Sequence, residues 1–163
     1  MLVMPVGRRP WQAAMGDEID DEFVLPFPIE FMIQETPRSH QSKNVKAKEE
    51  WKLMVRRAAK DCIDAHREFT LLDDRPIAVK ILYFSPSTME GDIDNIVKLI
   101  LDGMLEVVYL DDRVIERVIA QKIEPGIIVE FASITEKLEE AARAGPPVVY
   151  IRIDDDLSWR EAA

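Results

Sequence analysis

A chain of 163 residues, 47% of them apolar, suits one domain with a real core and is too apolar for a disordered segment. Its net charge of −10 argues against a surface that binds nucleic acid all over, and its one cysteine, Cys62, excludes an internal disulfide or a cysteine-rich zinc centre and suits a reducing cytoplasm. With two histidines, His40 and His66, any metal would rest on oxygen donors, which points to magnesium or manganese.

Residues 1–22 open with an apolar run too short for a signal peptide and close with an acidic one, so a flexible extension is expected there, ahead of a domain over 23–163. No run reaches a transmembrane length, so the expectation is a soluble cytoplasmic protein with no membrane partner. Ile29, Phe31 and Ile33 alternate with polar or softer residues and predict a first strand. Thr36 to Lys43 is a polar loop containing Pro37. A helix is expected from Val45 to His66, its inner face marked by Trp51, Met54, Val55, Ala58, Cys62, Ala65 and Phe69. Trp51 reads as a core anchor or as a base-stacking platform. Cys62 reads as core or as a reactive thiol, with burial the commoner fate of a free cysteine.

The segment from Arg38 to Lys60 holds eight basic side chains against two acidic ones. It is either a solvated helix face or a local phosphate contact in an otherwise acidic protein. Asp73-Asp-Arg-Pro76 is turn chemistry, and Ile77–Phe84 predicts a central strand. After a loop at Ser85–Gly91 comes Asp92-Ile-Asp94-Asn95-Ile-Val-Lys98 and a helix over about Asn95–Leu105, with Val97, Ile100, Leu101 and Met104 as its stripe. Val107–Leu110 is strand-like, Tyr109–Asp112 makes a turn, and Val114–Ile123 predicts a strand. A short strand at Ile127–Phe131 is also compatible with the pattern. Ser133-Ile-Thr-Glu136 has capping-box spacing for a helix that stops before Gly145-Pro-Pro147, and Val148–Ile153 is the last strand. The order β-α-β-α-β-α-β describes an α/β or α+β domain with a mixed sheet, in which residues 133–163 look like a C-terminal elaboration.

Asp94 stands where an N-cap would, accepting an unpaired backbone N–H of the first turn. That accounts for neither Asp92 nor the Asp111-Asp112 pair just beyond the same helix. The helix is roughly 16 Å long at 1.5 Å per residue. The two acidic groups meet only if the chain after Leu105 doubles back along it. If Asp92, Asp94 and Asp112 converge, their mutual repulsion calls for a divalent cation, which activates water and neutralises a leaving oxygen. Lys98, one turn after Asp94, is either half of a surface ion pair or a cation that stabilises the transition state. Asp102 suits the role of its partner, and Asn95 that of a support for the turn or a carboxylate.

The three linked elements Asp92-Ile-Asp94-Asn95-Ile-Val-Lys98, Leu101-Asp102-Gly-Met-Leu and Tyr109-Leu-Asp111-Asp112-Arg-Val resemble the RusA family of Holliday junction resolvases, in order and spacing, from Gly91 to Lys122. The resemblance implies a homodimeric, magnesium-dependent endonuclease (manganese being an alternative ion) that nicks opposed strands of a four-way DNA junction. It implies Asp92, Asp94 and Asp112 as metal ligands and catalytic acids, with Lys98 as the catalytic lysine and Asp111 able to exchange with Asp112. The basic loop, with Arg38, Lys43, Lys46 and Lys48, would contact DNA. In place of the family's arginines before the first aspartate stands Ser87-Thr-Met-Glu90. A second reading is a weakly active or non-catalytic DNA-binding protein of the same fold. A third, a nucleotide phosphohydrolase, lacks a Gly-rich phosphate loop.

Overall fold

The computed structural model describes residues 27–65, 71–72 and 75–158. The expected extension at 1–22, His66 and Phe69 at the end of the first helix, and Asp73-Asp74 of the predicted turn lie outside these residues. Among the described residues four strands form one sheet: β1 (Ile29–Ile33), β2 (Ile77–Phe84), β3 (Ile115–Ile123) and β4 (Val148–Asp154). Their spatial order is β1-β4-β2-β3. β2 runs parallel to β3, whereas β4 is antiparallel to both β1 and β2, so the sheet is mixed. Three α-helices of the described residues complete an α+β fold: α1 (Val45–Asp64), α2 (Asp94–Met104) and α3 (Glu136–Arg143).

Alternation along the strands builds two cores. Ile77, Val79, Ile81 and Tyr83 of β2, with Val149, Ile151 and Ile153 of β4, face α1 and α2. Those helices answer with Trp51, Val55, Ala59, Ile96, Leu99, Ile100 and Met104. Leu82 of β2 and Val148 and Tyr150 of β4 point to the opposite face, where Leu138 and Ala141 of α3 cover them. Each large side chain buried this way contributes about 1.5–3 kcal/mol relative to exposure. Trp51 is 2% exposed, which makes it a core anchor and removes it as a stacking platform. Cys62 is half-buried, its thiol donates to the Glu30 carbonyl, and burial pushes its pKa up, so it fills the core margin and is not an activated nucleophile.

Several expectations need correction. Met54 and Ala65 are exposed, and Ala59 takes the buried place on α1 instead, because the face follows Trp51, Val55 and Ala59 at four-residue steps. Val107–Leu110 is no strand. Val107 N–H and Val108 N–H both return to the Met104 carbonyl, and Tyr109 is pinned by single bridges to Leu72 and Leu105. Val108 and Tyr109 are buried in a turn, not along a ladder, and Leu110 is exposed. Ile127–Phe131 also lacks strand pairing; Val129 and Phe131 merely pack on the second core. The cap of α3 is Thr135, whose hydroxyl accepts from Leu138 N–H, two residues later than the capping-box spacing placed it. The segment 133–163 supplies α3 and β4, and β4 lies between β1 and β2.

Candidate functional site

The connection from β2 to β3 positions every residue that the motif singled out. Because these strands are parallel, with Ile77 beside Ile115 and Phe84 beside Ile123, α2 must carry the chain back from the end of β2 to the start of β3. The start of α2 therefore lies at the C-terminal edge of the two strands. Asp92 and Asp94 sit there, both exposed. Gly91, at φ +81°, turns the chain into the helix through the left-handed region, where a side chain would be strained. Asp94 is not the N-cap: Ile93 occupies that position, no side chain caps the first turn, and the Asp92 carbonyl receives Asn95 N–H at 3.1 Å. Among the described residues, neither carboxylate makes a hydrogen bond or ion pair.

A loop distant in sequence is fastened to this helix start. His40 N–H donates to the Asn95 carbonyl at 2.9 Å, and His40 Nδ1 reaches the same oxygen at 3.1 Å, which requires Nδ1 to carry the proton. The loop between β1 and α1 thus lies against α2. Thr36, Pro37 and Ser39 form one wall of a cleft of about 300 Å³ whose other wall includes Ser87, Thr88, Gly91 and Asp92. Arg38 and Lys43 on that loop are exposed and, among the described residues, make no ion pair. Lys46 leans towards Glu50 at 3.9 Å, and Lys48 donates to the His40 carbonyl at 3.3 Å, so Lys48 braces the loop as well. Residue pattern gave no sign of His40: it stands in a polar loop without periodicity, and its contact spans 55 positions.

Lys98 lies one turn into α2, largely exposed, and holds Asp102 at 3.4 Å, the partner expected of it. The opposite end of α2 holds Asp111 and Asp112. Asp111 caps the short 3-10 turn Asp112–Val114 by accepting from Arg113 N–H at 2.9 Å, which leaves Asp112 as the acid of the pair with an unengaged carboxylate among the described residues. Tyr109 lies between the two ends of this turn. Its hydroxyl donates to the Leu101 carbonyl, and burial first, then the nearby Asp112 and Asp102 charges, push its pKa up. The turn that Asp112 opens immediately precedes Ile115, which pairs with Ile77 at the start of the parallel strands, so Asp112 lies at the sheet edge opposite the one that carries Asp92 and Asp94. The chain does not double back.

The donor set can be weighed on these facts. Asp92 and Asp94 offer two exposed, unengaged carboxylates, and magnesium is content with one or two of these plus water and phosphate oxygens. That pair fits. A cage of all three acids within one chain does not: among the described residues no group of three or more acidic, histidine or cysteine side chains is arranged to hold a metal ion. No helix of the described residues is long and apolar enough to cross a membrane.

The family comparison agrees with the motif. The family model described as endodeoxyribonuclease RusA matches residues 25–131, which take in β1, the fastened loop, α1, β2, the acidic motif, α2 and β3. No curated protein matches the sequence. With about two thirds of its length matched, and with the exposed acids and the basic loop meeting at the start of α2, the chain belongs to the RusA endodeoxyribonuclease family.

Proposed function

We propose that this protein is a magnesium-dependent endonuclease that cuts branched DNA, with the four-way Holliday junction of recombination and repair as its substrate, and that it works as a homodimer. The observation that carries this reading is the fastening of His40 to Asn95. It seats a loop bearing Arg38 and Lys43 beside the two free carboxylates, so that a phosphate held by the loop borders Asp92 and Asp94. Arg38, Lys43, Lys46 and Lys48 hold the DNA backbone by charge, which affords affinity without sequence preference. The net charge of −10 keeps such contacts local, because the remaining surface repels DNA.

Asp92 and Asp94 would hold magnesium or, in its place, manganese, which supplies an activated water and neutralises charge on the phosphodiester. Lys98 faces the same helix side one turn on. Released from Asp102 by the stronger charge of a phosphate, its ammonium stabilises the developing negative charge and the leaving oxygen. The existing Lys98–Asp102 pair is a surface one, worth about 0.3–0.5 kcal/mol, so the exchange costs little. The hydroxyl-lined cleft beside Asp92 gives room for the strand next to the cut.

Asp94→Asn is expected to lower nicking of a synthetic four-way junction by about 10²–10³-fold, in the manner of removing one charged group from a preorganised site. Folding should be unchanged, since the Asp94 side chain caps nothing. Undiminished nicking by that variant sinks the assignment. Comparing junction with linear duplex, with and without magnesium, tests substrate and cofactor together. A weakly active DNA-binding protein of the same fold is the second reading, favoured by one observation: the three acids do not assemble within one chain. Robust magnesium-dependent turnover excludes it.

A further inference from the structure

The loop that carries the chain from β2 into the acidic motif, Ser85–Gly91, has no ladder or helix of its own, and most of its residues are exposed. Hydrogen bonds hold it near both ends. Ser85 N–H donates to the Ile123 carbonyl at 3.0 Å. The buried Ser85 hydroxyl donates to the Ser87 carbonyl, which folds the loop on itself. Met89 N–H donates to Glu124 Oε1 at 3.4 Å, a tie across 35 positions. Met89 is pinned a second time, by its side chain against the first core. The loop is thus moored to the end of β3 and to the turn that follows it.

Glu124 presents its carboxylate from a restrained place. Glu124-Pro-Gly-Ile127 is a β-turn: Pro125 presets its own φ, Gly126 stands at φ +87°, and Ile127 N–H closes the turn on the Glu124 carbonyl at 3.2 Å. A following proline also biases residue 124 to extended backbone. On the strand side, Lys122 Nζ lies 3.0 Å from the same Oε1 that receives Met89 N–H. The Lys122 ammonium lowers the glutamate's pKa, burial opposes it, and the Met89 N–H adds to the lowering. The acceptor is therefore an anion at neutral pH, and a charged acceptor binds a backbone N–H more strongly than a neutral one.

We propose that Glu124 is a positioning residue for the acid pair: by holding the Met89 amide it fixes the loop ahead of Gly91, so that Asp92 and Asp94 meet a metal ion in one geometry. The catalytic consequence rests on the function proposed above. Asp92 lies three residues beyond Met89, and Gly91 between them, at φ +81°, is the joint at which the chain would otherwise swing. Beyond the pair, His40 N–H holds the Asn95 carbonyl from the other side. The two aspartates therefore hang between two long-range ties, one from the turn after β3 and one from the loop after β1. Their like charges spread them apart unless the backbone on both sides is held. Magnesium demands near-ideal octahedral placement of its ligands, so lost support is felt at the metal.

Glu124→Ala removes the acceptor, whereas Glu124→Gln keeps an oxygen for Met89 N–H, and the two variants together test the role. Manganese binding, titrated with the metal alone, should weaken by about 10–100-fold in Glu124→Ala and stay within about threefold of wild type in Glu124→Gln. Amide exchange at Met89 should quicken in the first and remain slow in the second. Junction nicking by Glu124→Ala should fall through kcat with KM unchanged, since the basic loop is untouched. A urea midpoint near that of wild type separates positioning from lost stability. Should Glu124→Ala not fold, Glu124→Asp, which keeps the charge but is one methylene short of Met89 N–H, should show the same loss of manganese affinity. Wild-type manganese affinity in these shortened variants, or equal loss in Glu124→Gln, overturns the proposal, as does a wild-type chain that binds no manganese. If the wild-type chain binds manganese but cuts no DNA, the proposed function falls, and the metal and exchange readouts still decide the role of Glu124.

Discussion

The two ends of α2 are built on opposite principles. At its start, Asp92 and Asp94 are exposed, no side chain caps the first turn, and a remote loop is fastened through His40. At its end, the chain is packed as tightly as the fold allows. A Cβ on Gly103 would lie 2.8 Å from Val55 Cβ of α1, Met104, Val108 and Tyr109 are fully buried, and Glu106 is forced to a positive φ of 66°. Stability is concentrated at one end and chemistry is left open at the other. One helix thus separates an unsatisfied, charge-ready surface from the packing that holds it still. Exposed acids stand at the packed end as well, in Glu106, Asp111 and Asp112.

Substitutions at each end should divide accordingly. The largest effect on stability belongs to Gly103→Ala, whose added carbon meets a β-branched neighbour and backbone. It should cost about 1–3 kcal/mol, read as a lower urea midpoint. Comparable loss on changing Asp94 would erase the contrast. At the open end, replacing Arg38 and Lys43 together by alanine should leave that midpoint alone. It should flatten the salt dependence of junction binding by about 1.8 log units per log unit of salt, for two phosphate contacts. Tyr109→Phe should cost about 1 kcal/mol for the bond to the Leu101 carbonyl.

The same tyrosine sets a pH dependence. Its folded pKa is raised above the ordinary 10 by burial, and that of Tyr150 is raised likewise, again first by burial and then by Glu30. The folded protein keeps both protons where the unfolded chain loses them. Their contribution is full below about pH 10 and is lost as pH rises through the folded values. Thermal unfolding scanned upward from about pH 9 should show falling stability, and Tyr109→Phe should make the fall shallower. The smallest effect is expected at Glu106→Gly, which relieves the positive φ against a gain in unfolded-chain entropy and should stabilise by roughly 0.5 kcal/mol.

Much of this architecture could be read from residue pattern. The strands at Ile29, Ile77, Ile115 and Val148 follow from period-two alternation or continuous apolar runs, and α1 and α2 from their stripes. Val107–Leu110 misled because apolar residues in a buried turn look like those in a strand until their partners are known. Asp94 misled because a capping residue type one position inside the helix has the same local sequence as a true cap. The motif made the acids legible as chemistry. Their separation was not legible, since it depends on β3 lying parallel to β2, a long-range fact. His40 escaped for the same reason.

The place of β4 has a consequence for how the protein comes to exist. Among the described residues β1 finds its ladder only on β4, and β4 is also what joins β1 to β2. The first strand synthesised must therefore wait for the last before it can pair, across more than a hundred residues. During synthesis the β2-α2-β3 unit, whose contacts are nearer in sequence, can gather first, while Ile29 and Phe31 have no sheet to join. A chain cut before Val148 should fail to close the sheet even with the acidic motif and the fastened loop intact. The last strand acts as the keystone of assembly, and a fold with so distant a closing pair should form slowly for its size.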